Sequence, residues 1–255
     1  MSLLEKLSLD HKTKTMRTSL NAFRFCTLLL LLATFSTSLV AQSVRGSGNV
    51  VEQDRNLSGF TAIKVSSGVD IHIMQGSADK VVVKTDDNLQ EKIKTALNGS
   101  VLEISSKGSI RSSKAFEVYI TVSQLEKISA TAGSDVYSKG TLKVDDLELQ
   151  MAAGSDVELD LDVNALHCKL TAGSDADLSG KVGELEVWAT GGSDLSAKGL
   201  KVGNCKLRLS GGSDAVVHVS GELDMEATGA SDIYYTGGPS VVHSKATGAS
   251  DIHGN

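Results

Sequence analysis

The chain has 255 residues, 40% hydrophobic, with 25 glycines, one proline and a net charge of −6. That length carries one large domain or two small ones, each with a core. Aromatic content of only 4% requires a core of Val, Ile, Leu and Ala, and an acidic chain without basic clusters argues against nucleic acid and anionic lipid surfaces as partners.

Residues 1–41 read as a signal peptide with an upstream extension. Met16, Arg17 and Arg24 mark a basic start, Phe25 to Ala33 is a short apolar run, and Leu39-Val40-Ala41 is a small-residue cleavage site before Gln42. The run is too short for a spanning helix. The mature chain therefore has no membrane-spanning segment and is expected in the periplasm, on the outer surface or in the medium. Removing residues 1–41 takes five basic and two acidic side chains from totals of 25 and 31, which leaves 20 and 29, a net charge of −9.

Residues 46–128 form a less regular β-rich segment, expected to cap the next region or pack on it. Ile63, Val65, Val69, Ile71 and Ile73 alternate around Ser66-Ser67-Gly68, and Val81, Val83, Leu102, Ile104, Phe116, Val118 and Ile120 continue the pattern. Leu89, Ile93 and Leu97 sit at four-residue spacing before Asn98-Gly99, so a short helix is expected between Asp87 and Leu97.

Residues 129–255 repeat. Gly-Ser-Asp or Ala-Ser-Asp ends at Asp135, Asp156, Asp175, Asp194, Asp214, Asp232 and Asp251, in steps of 21, 19, 19, 20, 18 and 19 residues. Nine, seven, five and three residues before the aspartates from Asp156 to Asp232 the chain is apolar or small, as in Leu166, Cys168, Leu170 and Ala172, with polar residues between, such as His167 and Lys169. Period two means a strand with one buried face. A strand, a Gly-Ser-Asp corner, a second strand and a short return make one coil, and such units bury a core only by stacking. The expected fold is all-β, a parallel β-helix (solenoid) of about 19-residue coils. A leucine-rich repeat and the calcium-binding β-roll lack their own frames here. Cys168 and Cys205 both face inward two coils apart, beyond disulfide reach, and are expected as reduced, buried thiols.

The segments Gly46-Ser47-Gly48-Asn49-Val50, Arg55 to Ile63, Gly68-Val69-Asp70-Ile71 and Asp87-Asn88-Leu89 resemble the "putative auto-transporter adhesin, head GIN domain" proteins of Bacteroidetes-type bacteria. The Gly-Ser-Asp corners and the ending Gly248-Ala249-Ser250-Asp251-Ile252 fit the same family. The resemblance covers about residues 46–255. It implies a right-handed β-helix, export and an adhesin-like role, with no catalytic residues attached. The C-terminal membrane barrel of an autotransporter is not expected here.

Three surfaces are candidates for chemistry. Stacked carboxylates at Asp156, Asp175, Asp194 and Asp214 would repel, and calcium could relieve this; the simpler role is hydrogen bonding to the corner backbone, so no cofactor is required. Outward hydroxyls at Thr171, Thr190 and Thr228, with Tyr234 near the end, offer a face for a glycan or protein ligand, although threonine also simply favours exposed strands. His167, His218 and His243 fall out of register for a metal. No catalytic constellation stands out, so the chain reads as a non-enzymatic binding module. A β-helix polysaccharide lyase or hydrolase, with paired carboxylates in a groove, is the alternative, and a structural or assembly module is another.

Overall fold

The computed structural model describes residues 43–255. The signal-peptide reading lies outside the described residues. Seventeen strands form one continuous hydrogen-bonded sheet, and the short Val44–Arg45 and Ile110–Ser112 strands pair separately. Among the described residues the only helical element is a 3-10 turn at Asp87–Leu89. The protein is a parallel β-solenoid with coils of about 19 residues.

Two ladders of strands run along the solenoid. In the ladder that precedes each corner, Leu147, Leu166, Leu185, Cys205 and Leu223 are register partners, as are Leu149, Cys168, Val187, Leu207 and Met225. In the ladder that follows each corner, Val157, Ala176, Leu195, Ala215 and Ile233 are partners. All of these side chains are buried in one cluster. The column of like residues follows from parallel pairing in register: each coil places the same position over its predecessor about 4.8 Å away.

The repeated motif explains itself at the corner. Ala172 and Gly173 have φ of 57° and 71°, and Gly211 and Gly212 have 69° and 78°, two successive residues in a region that disfavours a Cβ. In the last two corners Gly229 and Gly248 take the positive φ, at 87° and 80°, so Ala230 and Ala249 are tolerated after them. So tight a turn leaves backbone N–H groups without ladder carbonyls. Serine and aspartate supply the acceptors. The N–H of Ser155 donates to Ser174 Oγ at 3.1 Å and that of Ser174 to Ser193 Oγ at 3.1 Å. These hydroxyls are fully buried, where an unpaired N–H would be costly.

At the far bend the buried parity shifts. Val157, Leu159, Leu161 and Val163 face inward before it, Leu166, Cys168 and Leu170 after it. Gly183, Gly203 and Gly221 stack on this bend so closely that a Cβ on Gly203 would lie 2.4 Å from the Gly183 carbonyl oxygen.

Residues 46–128 supply the N-terminal part of the same sheet. The Ala62–Ser66 and Asp70–Gln75 strands meet at Ser67 and Gly68, with φ of 69° and 70°. Val69 donates its N–H to Ser134 Oγ at 3.1 Å, so Val69 stands where later corners carry serine. On one side this coil pairs with Lys127–Thr131 and Val136–Ala152. On the other it pairs in parallel with Val101–Ser106 and Phe116–Val122. Lys80–Asp86 and Ile93–Asn98 then run antiparallel to that last coil, and Val50–Asp54 covers Lys80–Asp86. The reversed direction ends the parallel stack, and Asp86, fully buried, anchors the lead-in by accepting the N–H groups of Gly48 and Lys114.

The helix expected between Asp87 and Leu97 is a correction. Only Asp87–Leu89 turns, and Ile93–Asn98 is a strand. The spacing of Leu89, Ile93 and Leu97 misled because Leu97 is not core: it is 41% exposed. A hairpin through Gly99, φ 60°, pairs Leu97 with Leu102, and that ladder outweighs a weak helical preference.

Candidate functional site

The outward face of the ladder that precedes the corners carries the richest chemistry. Because the coils stack in register, its outward side chains form three columns parallel to the solenoid axis. The middle column reads Glu103, Lys64, Ser129, Gln150, Lys169, Trp188, Arg208, Glu226 and Lys245. The column nearest the corner reads Ser105, Ser66, Thr131, Ala152, Thr171, Thr190, Ser210, Thr228 and Thr247, all hydroxyls except Ala152.

The third column is a charge ladder. Lys127 meets Glu148 at 3.1 Å, His167 Nδ1 meets Glu186 at 3.3 Å, and Lys206 meets Glu186 at 2.6 Å. Arg208 crosses from the middle column to Asp224 at 2.8 Å, and Lys245 pairs with Glu226 at 2.6 Å. Hydrogen bonding to Asp224 raises the Arg208 pKa further, and Arg208 holds Asp224 below the usual carboxylate range. These pairs are partly solvated, so none adds much to stability; they surround Trp188 with charge of both signs.

Trp188 is 43% exposed. The Lys206 ammonium lies 5.7 Å from its ring centre, within cation–π range. A groove of about 710 Å³ surrounds it, with Thr171, Thr190, Thr228, Lys169, Arg208 and Ser210 in its walls. Lys169 and Thr171 also line a neighbouring groove of about 640 Å³ toward Lys64 and Lys127, so the two share a wall. Thr171 and Thr228 donate to carbonyls of the preceding coil, at 3.3 and 3.4 Å, and Ser210 donates to Thr190 at 3.0 Å.

Three of the four residues singled out for ligand contact thus meet in one groove. Tyr234 does not join them: it lies on the other ladder, stacked on His253 at 4.9 Å. The side chains missing from the sequence reading of this face are Lys169, Trp188 and Arg208. Their signal was available in the position six residues before each aspartate, read from coil to coil rather than along the chain.

Asp156, Asp175, Asp194 and Asp214 do form a column. Each turns Oδ1 to the backbone N–H of the next aspartate, at 3.1, 3.0, 2.9 and 2.9 Å. Among the described residues no group of three or more His, Cys, Asp or Glu is arranged to hold a metal ion. His218 contacts Thr236 at 2.9 Å, and His243 is the register partner of Asp224.

A second cluster lies where the segment 46–128 meets the first Gly-Ser-Asp coil. His72 stacks between Tyr119 and Tyr137, with ring centres 4.7 and 5.3 Å away. Its Nδ1 is buried without a partner, and burial lowers its pKa. Glu117 accepts the Tyr119 hydroxyl at 2.8 Å and pairs with Lys84 at 3.4 Å, both through Oε2.

The family model described as "Putative auto-transporter adhesin, head GIN domain" matches residues 59–239. Solved structures share the fold. A "putative adhesin" from Bacteroides fragilis is 20% identical with a TM-score of 0.78, and one from Parabacteroides distasonis is 22% identical with a TM-score of 0.67; each alignment covers 84% of this chain and 100% of the other. A "putative lipid binding protein" from Parabacteroides distasonis, 18% identical with a TM-score of 0.70, covers the same shares. No curated protein matches the chain.

Proposed function

The chain belongs to the family described as "Putative auto-transporter adhesin, head GIN domain", and from that premise we propose that it is an exported, adhesin-like protein that binds glycan on its Trp188 face without cleaving it. Export rests on the pattern of basic, apolar and small residues up to Ala41. Among the described residues no helix is long and apolar enough to cross a membrane. Fold alone does not assign a ligand; the site must carry that argument.

The observation that carries the reading is Trp188 standing exposed within a wall of hydroxyls and charges. A flat indole offers a large apolar area to the face of a sugar ring. Thr190 and Ser210 flank it as donors and acceptors for sugar hydroxyls, and the charge ladder lines the rim. The strand beneath is paired in register on both sides, a preformed scaffold that limits the ordering cost of binding.

The test is a glycan array with the purified protein and its W188A variant, together with an assay for new reducing ends. The expected result is binding to a defined set of glycans, a loss of at least about tenfold in W188A at unchanged fold, and no cleavage. Release of reducing ends would favour the polysaccharide-cleaving alternative. Binding unaffected by W188A, or no glycan bound, would overturn the reading in favour of a protein ligand or an assembly role.

A further inference from the structure

We infer that the ligand of this face is an extended anionic polysaccharide with a charge on every sugar, lying along the solenoid axis with Lys169 as its anion contact beside Trp188. The inference rests on the reading that the Trp188 face binds glycan, and it names the class.

The first ground is electrostatic. Among the described residues Lys169 and Lys64 enter no ion pair, while Lys127, Lys206, Arg208 and Lys245 each hold a carboxylate. Both free ammonium groups are exposed, and both belong to Trp188's column. Of the charged side chains lining the two grooves, Lys127, Arg208 and Glu226 are already paired, which leaves Lys64 and Lys169 against Glu103, a small local positive excess on a chain whose net charge is −6. A local cationic groove on an acidic protein selects an anionic partner and repels it elsewhere.

The second ground is spacing. Between Glu103 and Glu226 the column runs through Lys64, Ser129, Gln150, Lys169, Trp188 and Arg208, six consecutive positions without an acid. Each step is one strand spacing, about 4.8 Å, comparable to the advance per sugar of an extended polysaccharide. One sugar then sits over each coil. Lys64 and Lys169 are three steps apart, about 14 Å. An odd number of steps suits a polymer charged at every residue and mismatches one charged at alternate residues. The sugar over Trp188 stacks on the indole, and its neighbour over the next coil presents its carboxylate to Lys169.

Trp188 is the sole tryptophan, so its fluorescence reports this site alone. The experiment titrates the purified protein with a hexameric oligouronate and with a neutral β-1,4-glucan hexamer, at low and high salt. The expected result is oligouronate binding at least about tenfold tighter, a preference that shrinks at 0.5 M salt because screening shortens the Debye length to a few ångströms. Lys169→Gln is expected to remove most of that preference, lowering oligouronate affinity far more than glucan affinity. Lys198→Gln, outside the grooves, serves as the control and is expected to change neither. Equal or tighter glucan binding, or a preference that survives Lys169→Gln, would overturn the anionic assignment while leaving the Trp188 face as a glycan site. Failure of both hexamers to perturb Trp188 would overturn both.

Discussion

Asp175 donates its backbone N–H to Oδ1 of Asp156, one coil back, at 3.1 Å, whereas the N–H of Ser174 donates to Oγ of Ser193, one coil forward, at 3.1 Å. The corner is stitched in both directions by side chains from the same tripeptide. The two stitches differ in burial: the serine hydroxyls are inaccessible, the aspartates at the solvent edge.

Ser174→Ala should therefore cost more than Asp175→Asn. The first leaves the buried N–H of Ser155 unpaired, a loss of about 1–3 kcal/mol. The second keeps an amide oxygen in place and should stay within about 0.5 kcal/mol. Urea denaturation of both variants measures the difference. Since each carboxylate in the column already holds a backbone N–H, adding calcium or a chelator is expected to leave the melting temperature unchanged. A calcium-dependent rise would restore the aspartate column as a cation site.

Gly203→Ala tests the far bend. Its Cβ would meet the Gly183 carbonyl oxygen at 2.4 Å, and backbone on both coils must give way. Overpacking of this kind costs about 1–3 kcal/mol. Gly154→Ala has open space around it but a φ of 68°, so its cost is conformational, about 1–2 kcal/mol. Thermal denaturation of the pair separates steric from torsional demand: crowding predicts that Gly203→Ala falls further.

The repeat was legible because each coil imposes the same burial pattern. Leu166, Cys168 and Leu170 alternate for the same reason as Leu185, Val187 and Ala189: both triplets face one core. The corner was legible as a turn, but the opposite directions of its serine and aspartate bonds were not, since they depend on which coil each side chain reaches. The strand at Ile93–Asn98 was hidden because its pairing partner, Val101–Ser106, supplies the reason for it and no local periodicity does. The proposed binding face was half visible. Thr171, Thr190 and Thr228 share one offset from the aspartate, whereas Lys169, Trp188 and Arg208 differ in chemistry, and only their stacking makes them one column.

Asp70 supplies a pH prediction. Burial raises its pKa, the Asp135 N–H that it accepts opposes this, and the charges of Asp135 and Glu117 raise it further. With the folded value above the unfolded one, the native state binds the proton more tightly. That contribution is present below the unfolded pKa and is lost as pH rises through the folded value. At neutral pH the charged Asp70 is therefore a cost. Asp70→Asn, which retains an acceptor for the Asp135 N–H, should be more stable than the parent at pH 7. The advantage should shrink as pH falls toward 4. Melting temperatures across pH 4–8 measure it, and a parent that is the more stable at pH 7 would contradict the account.

Cys168 and Cys205 are both free and buried, and burial pushes each thiol up to about 12. The thiolate is the reactive form, so at pH 8 only about one thiol in ten thousand is ionised even before access is considered. Cys168 pairs in register with Val187, which pairs with Leu207, while Cys205 lies one inward position earlier on that last strand. Two strand spacings exceed 9 Å, beyond the roughly 7 Å limit between Cα atoms of a disulfide. The native mature protein should therefore resist thiol reagents at pH 8 and release two reactive thiols on denaturation, with or without prior reduction. Mass spectrometry after alkylation counts them. Fewer than two without reductant would mean that the cysteines are bridged, which would require a different coil register and would displace Lys169, Trp188 and Arg208 from their shared column.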